Sequence, residues 1–284
     1  MNLIVQGHDI PTASLKQLAK LTAATAIEAV SPAAFRLVAA DASQQAGVAS
    51  FCEANSLDCG WVPAGRRIGD FGLLVMDMDS TLITIECIDE IADMQGLKPQ
   101  VSAITESAMR GEIDFAESLR QRVSLLAGLD QSALQRVYDE RLQLSPGAEA
   151  LLAAVRAAGI RTLLVSGGFT FFTERLKSQF GLDYTAANTL EVADGKLTGR
   201  VLGTIVDAQG KADWLNRVRN ELSLAREQVV AMGDGANDLK MMAAAGVSIA
   251  YRAKPVVRAQ ANYGLNQVGL DGVIPLLGES GRSS

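Results

Sequence analysis

The chain has 284 residues, 48% of them apolar and 20% charged, with a formal net charge of −6. That length and apolar content suit one large or two modest globular domains. The acidic balance argues against a nucleic-acid partner, whose phosphates need a basic surface, and leaves an anionic small substrate open, since local charge can oppose net charge.

Leu3-Ile4-Val5 reads as the first strand. Ser14 is placed to cap a helix running to Leu21, Phe35 to Ala40 reads as a strand, and Gln44 to Asn55 as a second helix. His8, the only histidine, falls in a loop far from every other motif, which excludes histidine-dependent triads. Trp61 to Arg67, with Pro63 and Gly65, reads as a linker. Residues 1–68 are therefore expected to form a small α+β module without a chemical motif, open to binding a regulatory amino acid or to mediating a homodimer.

Phe71 to Met76 is a short apolar run of the kind that forms a buried strand. It ends in Asp77 and Asp79. At this i, i+2 spacing both carboxylates point the same way, at the carboxyl end of a strand, where open α/β sheets bind ligands. From Ile85 to Leu142 the apolar periodicity turns helical. Ile88, Ile91, Ala92 and Met94 share one face, and Phe115, Leu119, Arg122 and Leu126 another. This block interrupts an α/β pattern and is expected to sit over the site as a lid.

The α/β pattern resumes with a helix from Ala148 ending at Gly159, then a strand, Arg161 to Val165, running into Ser166-Gly167-Gly168, then a helix from Thr170 to Phe180. Asp194-Gly195 between two strand-like runs predicts a hairpin. Lys211 opens a helix. A strand at Gln228 to Met232 ends in Gly233-Asp234-Gly235-Ala236-Asn237-Asp238, and a helix and the strand Val247 to Tyr251 follow. Strands alternating with helices predict a parallel sheet with right-handed crossovers. Cys52, Cys59 and Cys87 are too few and too irregularly spaced for a zinc site and fit a reducing, cytoplasmic setting. No signal peptide and no membrane span is legible.

Each motif alone has an ordinary reading as a turn, a cap or a surface charge. Together, three strands deliver polar groups to one sheet edge. Four aspartates there repel, by about 4 kcal/mol for a pair ~4 Å apart at an effective dielectric near 20, so the cluster needs a cation and Lys211. Oxygen-rich carboxylate clusters of this kind favour Mg²⁺. A metal, a lysine, a hydroxyl and backbone amides are what a transferring phosphoryl group requires, and no P-loop motif is present.

Asp77-Met78-Asp79-Ser80-Thr81, Ser166, Lys211 and Gly233 to Asp238 resemble, in order, the four motifs of the haloacid dehalogenase superfamily. The resemblance implies a Rossmann-like core with a parallel sheet over residues 69–84 and 143–284, a small helical cap over 85–142, and an N-terminal module only loosely similar to ACT modules. A second aspartate at position 79 is similar to the phosphatase and phosphomutase branches. The segments around Glu86, Met109-Arg110-Gly111 and Phe115 to Arg122 resemble the phosphoserine phosphatase family. That likeness implies Glu86 for a substrate ammonium, Arg122 for its carboxylate, and Met109 and Phe115 as apolar cap residues, and a forked guanidinium does suit a carboxylate.

The expected activity is Mg²⁺-dependent hydrolysis of O-phospho-L-serine, the last step of serine synthesis. Asp77 would be the nucleophile and Asp79 the proton shuttle. Asp77, the Asp79 carbonyl and Asp234 would hold the metal. Ser166, Gly167 and Lys211 would hold phosphoryl oxygens, Asn237 would contact the phosphate or substrate, and Asp238 would play a supporting role. A related phosphotransferase, a phosphatase for another small ester, and a serine-sensing protein with an idle hydrolase domain are the alternatives.

Overall fold

The computed structural model describes residues 1–279, apart from the side chain of Met109. The chain opens with β1 (Asn2–Gln6), α1 (Thr12–Leu21), β2 (Ala26–Ser31), β3 (Ala34–Val38), α2 (Gln45–Ala54) and β4 (Asp58–Val62). These four strands form an antiparallel sheet in the order β2-β3-β1-β4, the split βαβ arrangement. Three expectations change here. Ser14 is no cap. The helix starts three residues earlier, at Thr12 behind Pro11, and Ser14 is buried inside it. Trp61 and Val62 belong to β4 and not to a linker. β2 lacks the alternation that signals a strand because all six of its residues are exposed.

The rest of the chain supplies β5 (Leu73–Met76), α3 (Cys87–Met94), α4 (Lys98–Met109), α5 (Phe115–Ser124), α6 (Ser132–Glu140), α7 (Ala148–Ala157), β6 (Arg161–Phe169), α8 (Thr170–Phe180), β7 (Tyr184–Ala193) and β8 (Lys196–Leu202). After these come α9 (Ala208–Glu221), β9 (Val229–Gly233), α10 (Leu239–Ala244), β10 (Val247–Tyr251), α11 (Pro255–Arg258), β11 (Tyr263–Leu265) and α12 (Val273–Leu277). The seven strands run in the order β11-β10-β9-β5-β6-β7-β8, all parallel except β8, which returns antiparallel beside β7. The Asp194-Gly195 turn has positive φ at both residues, as a two-residue hairpin turn with matching twist demands.

β5, β9 and β10 are buried at every residue, so their sequences show no polar alternation and are apolar almost throughout, Ser248 in β10 excepted. Leu74 and Met76 pack into the hydrophobic layer on one face of the sheet, Leu73 and Val75 into the layer on the other. Each such side chain contributes roughly 1.5–3 kcal/mol. β5 is flanked by β6 on one side and by β9 on the other, so the chain reverses its winding direction at β5. The crevice at such a switch point lies at the strands' carboxyl ends.

Helices α3 to α6 leave and rejoin the core along two adjacent extended segments. Ser145 N–H donates to Leu82 O, Thr84 N–H donates to Gln143 O, and Ile83 pairs with Leu144. Opposite this double hinge, the β7–β8 hairpin braces the helices through Gly128 N–H to Leu197 O and Leu197 N–H to Leu129 O. Leu126 lies just beyond α5 and is buried.

The N-terminal sheet is joined to the core through β4. The buried Asp58 carboxylate accepts the backbone N–H groups of Asn266, Gln267 and Val268 at 2.8–3.1 Å. Gly60 leaves room for the core, since a Cβ there would meet Leu276 at 2.5 Å. Among the described residues no helix is long and apolar enough to cross a membrane.

Candidate active site

β5 stops at Met76, and the chain opens into a wide turn, Met78–Leu82, in which Leu82 N–H reaches Asp77 O and Ile83 N–H reaches Met78 O. Ser80 carries a φ of 55° inside it. Left-handed backbone at a non-glycine residue is held only where the surroundings fix it. Here Ser80 Oγ donates to Glu86 Oε1 at 2.7 Å, and Ser80 N–H donates to Ile85 O. The turn thereby carries Asp77, Asp79 and Glu86 to one cavity of about 520 Å³.

Asp77 faces Lys211, whose ammonium lies 2.6 Å from Asp77 Oδ1 and 2.7 Å from Asp238 Oδ1. All three side chains are buried. Burial opposes the Lys211 charge, but Asp238 and Asp77 outweigh it and raise its pKa. Burial and then Asp238 push the Asp77 carboxyl well above the usual carboxylate range, with Lys211 pulling the other way. Asp238 reaches its place through a tight turn, its Oδ2 accepting from Gly235 N–H at 3.1 Å.

Asp79 has different company. Its Oδ1 accepts the Cys87 N–H at the start of α3 at 2.9 Å, and its Oδ2 accepts from Ser166 Oγ at 3.2 Å. Burial raises its pKa against these bonds. Ser166 Oγ in turn accepts the Gly168 N–H at 2.7 Å. Glycine is required at 168, because a Cβ would stand 2.7 Å from Asp79 Oδ2. At Gly167 a Cβ would meet the Phe115 ring at 2.8 Å, so this cap residue lies directly over the loop.

The upper wall comes from the helices. Glu86 is pushed up to about 7, first by burial of its carboxyl group and then by Asp79. Arg122 on α5 donates from Nε to Ser118 O at 3.3 Å. Burial lowers its pKa, and Asp89, Glu86 and Asp79 oppose that shift. Asp234 is pushed up to about 6 by burial and Asp238, and accepts from Thr81 Oγ1 at 3.4 Å.

Nine of the expected residues line the cavity: Asp77, Asp79, Glu86, Phe115, Arg122, Gly167, Lys211, Asp234 and Asn237. Ser166 and Asp238 stand just behind it, touching Asp79 and Lys211. Met109 ends α4, and its side chain lies outside the described residues. Asp89, Thr105 and Lys254 also line the cavity. Only Asp89 had a signal in the sequence, in the first turn of α3, three positions after Glu86, which precedes that helix.

Oxygens of Asp77, Asp234 and Asp238 lie within 4.8 Å of one another. With Asp79, Glu86 and Asp89, carboxylates outnumber the cations Lys211, Arg122 and Lys254 around the cavity. An anionic ester would enter such a field poorly without added positive charge. An all-oxygen carboxylate donor set fits a hard divalent cation.

The family model for haloacid dehalogenase-like hydrolases matches residues 74–243. The chain belongs to this family. A domain of unknown function, DUF4072, matches residues 3–48 of the N-terminal sheet. The haloacid dehalogenase-like chain is 53% identical over 216 residues to a phosphoserine phosphatase of Polaromonas sp., covering 74% of this chain and 92% of that protein. Among solved structures, a haloacid dehalogenase-family hydrolase from Salmonella enterica serovar Typhi superposes with a TM-score of 0.89 at 33% identity, covering 98% of this chain and 99% of that one. A probable phosphoserine phosphatase from Vibrio cholerae gives 0.86 at 40% identity, covering 97% and 86%.

Proposed function

We propose that this haloacid dehalogenase-like hydrolase is a cytoplasmic phosphoserine phosphatase that releases L-serine and phosphate in the last step of serine synthesis. One observation carries the reading: a single cavity joins a phosphoryl-type floor, made by Asp77, Asp79, Gly167 and Lys211, to a wall bearing the carboxylates of Glu86 and Asp89 and one guanidinium, Arg122. Such a wall is complementary to an amino acid's ammonium and carboxylate. The similarity to named phosphoserine phosphatases supports the same substrate.

In this mechanism Asp77 attacks phosphorus in line and forms an aspartyl-phosphate, while Asp79 gives a proton to the departing serine oxygen. Asp79 then takes a proton from the water that cleaves the aspartyl-phosphate. Burial raises the Asp79 pKa, the direction a proton donor needs. Lys211, Ser166 and the Gly167 amide hold phosphoryl oxygens, Asn237 contacts the phosphate or substrate, and Asp238 orients Lys211. Asp77, the Asp79 carbonyl and Asp234 would hold Mg²⁺, which supplies charge neutralisation at the phosphoryl oxygens when bound. Glu86 and Arg122 orient the amino-acid end, and Phe115 covers it. We assign residues 85–142 to a cap that opens for exchange and closes over the reaction, residues 69–84 and 143–284 to the catalytic core, and 1–68 to a separate module.

The direct test is phosphate release from O-phospho-L-serine with Mg²⁺, beside Asp77→Asn. The wild type should turn over and the folded variant should not. Steady phosphate release by a folded, uncontaminated Asp77→Asn protein would refute the assignment.

A further inference from the structure

The ladder between β6 and β7 breaks at the loop that faces the cavity. Val165 pairs with Ala186, and the next partners are Phe169 and Asn188, so four steps on β6 match two on β7. Ser166, Gly167 and Gly168 are thus forced out of register, and the Gly167 carbonyl loses its ladder partner. Asn188 replaces it. Its Nδ2 donates to Gly167 O at 2.7 Å, its Oδ1 accepts the Val206 N–H at 2.8 Å, and the side chain is 1% exposed.

Both ends of this amide lead to the site. The Gly167–Gly168 peptide is held by Asn188 at its carbonyl and by Ser166 Oγ at its N–H, and Ser166 Oγ, having accepted there, donates to Asp79. On the other side, Val206 precedes Asp207, which caps α9 by accepting from Gly210 N–H and whose carbonyl accepts the Lys211 N–H. The two backbone groups make opposite demands, a donor for the carbonyl and an acceptor for the N–H. A primary amide meets both, whereas a carboxylate offers only acceptors and an apolar side chain neither.

We infer that Asn188 is a positioning residue for phosphoryl transfer: one buried amide sets the Ser166–Gly168 loop and the first turn of α9 in fixed relation, so that loop amides and Lys211 converge on the same oxygens. The inference rests on the phosphatase reading above. Groups aimed at equatorial phosphoryl oxygens act mainly in the transition state, and a misplacement of about 1 Å costs about 100-fold.

The test compares full-length, Mg²⁺-loaded wild type with Asn188→Ala and the near-isosteric Asn188→Asp, which keeps the acceptor for Val206 but turns lone pairs toward Gly167 O. In folded variants at 25 °C, kcat for phosphoserine should fall about 10- to 100-fold, with KM carrying the smaller share of the loss. Inorganic phosphate, titrated calorimetrically, should bind about tenfold more weakly. A merely structural role would lower the melting temperature and leave kcat and phosphate affinity at wild-type values. Folded variants with kcat within about twofold of wild type would therefore overturn the inference. Failure of both variants to fold would overturn it too, by assigning Asn188 to the stability of the sheet. If wild type releases no phosphate from phosphoserine, the functional reading fails instead. Phosphate binding then decides on Asn188, weaker binding by the variants supporting its role and equal binding overturning it.

Discussion

Lys211→Met removes one buried charge and leaves the volume nearly unchanged, which makes its cost calculable. The ammonium is 1% exposed and lies 2.6 and 2.7 Å from carboxylates that are 5% and 0% exposed. At an effective dielectric near 20 each contact is worth about 6 kcal/mol of gross attraction, largely offset by desolvation of the three ions. Without the lysine, Asp77 and Asp238, with oxygens within 4.8 Å, repel by about 3.5 kcal/mol at that separation and dielectric. Breaking a buried pair costs about 3–5 kcal/mol, and at about 2–4 °C per kcal/mol the metal-free variant should melt about 6–20 °C below wild type at pH 8. The pH trend has a definite sign. Burial and Asp238 already hold the Asp77 pKa up, and the loss of Lys211 lifts it further. A carboxyl whose folded pKa exceeds its unfolded value destabilises most above the folded pKa, and the penalty fades as falling pH protonates it. The gap should therefore narrow between pH 8 and pH 5. Millimolar Mg²⁺ should raise the variant's melting temperature more than the wild type's, by replacing the missing cation in the folded state. Calorimetry at both pH values, with EDTA or Mg²⁺, reads all three effects. A variant melting within about 2 °C of wild type at pH 8 in EDTA would refute the reasoning.

If Arg122 forks onto the substrate carboxylate as proposed, Arg122→Ala removes a charge-assisted contact worth about 3 kcal/mol, so kcat/KM for phosphoserine should fall about 100-fold. A phosphate ester without a carboxylate should be nearly unaffected, and equal losses on the two esters would take Arg122 out of recognition. Glu86, pushed up to about 7, gains its charge as pH rises through that value, so kcat/KM for phosphoserine should climb there. The limb should vanish in Glu86→Gln, and its persistence would place the ionisation elsewhere. Asp58→Ala strands three backbone donors at the joint between the sheets, at about 1–3 kcal/mol each. Melting should fall by at least about 6 °C with kcat at 25 °C unchanged, and an unmoved melting curve would show that Asp58 does not hold the joint.

The site was legible because its carriers are short buried strands whose apolar runs stop abruptly at polar residues. Leu73 to Met76 before Asp77, and Val229 to Met232 before Gly233-Asp234, announce both the strand and its functional end. The helical block between β5 and β6 was legible from helical periodicity alone, since α3 buries Ile88, Ile91 and Ala92 on one face. What failed to show had no period to read. β2 buries nothing, β11 is three residues long, and β4 begins with Asp58 and contains Gly60, both chosen by contacts with residues 266–276 that lie two hundred positions away. Ser14 misled because a serine before an apolar run is a cap signal, whereas Pro11 had already set the helix start. Asn188 was invisible for a related reason: an asparagine inside a strand run has meaning only once a two-residue mismatch in the neighbouring ladder is known.

Asp77 and Asp79 are the same residue type two positions apart, so the separate roles proposed for them must come from what touches them. Burial and Asp238 hold the Asp77 pKa up, and the ammonium 2.6 Å away opposes them, so Asp77 is ionised to the extent that positive charge is held beside it. Asp79 meets a neutral amide and a hydroxyl, which lower its pKa against burial but carry no formal charge. Its hydroxyl partner is Ser166, whose acceptor side is occupied by Gly168 N–H, so the Ser166 proton is directed at Asp79 when that group is ionised. A proton arriving on Asp79 can be accommodated by rotating one hydroxyl, whereas a proton on Asp77 would have to break a buried ion pair. In the proposed mechanism this asymmetry suits position 79 to the proton store and position 77 to the attacking group, and it originates in the turn at Met78–Leu82, which sends the first carboxylate toward α9 and the second toward α3.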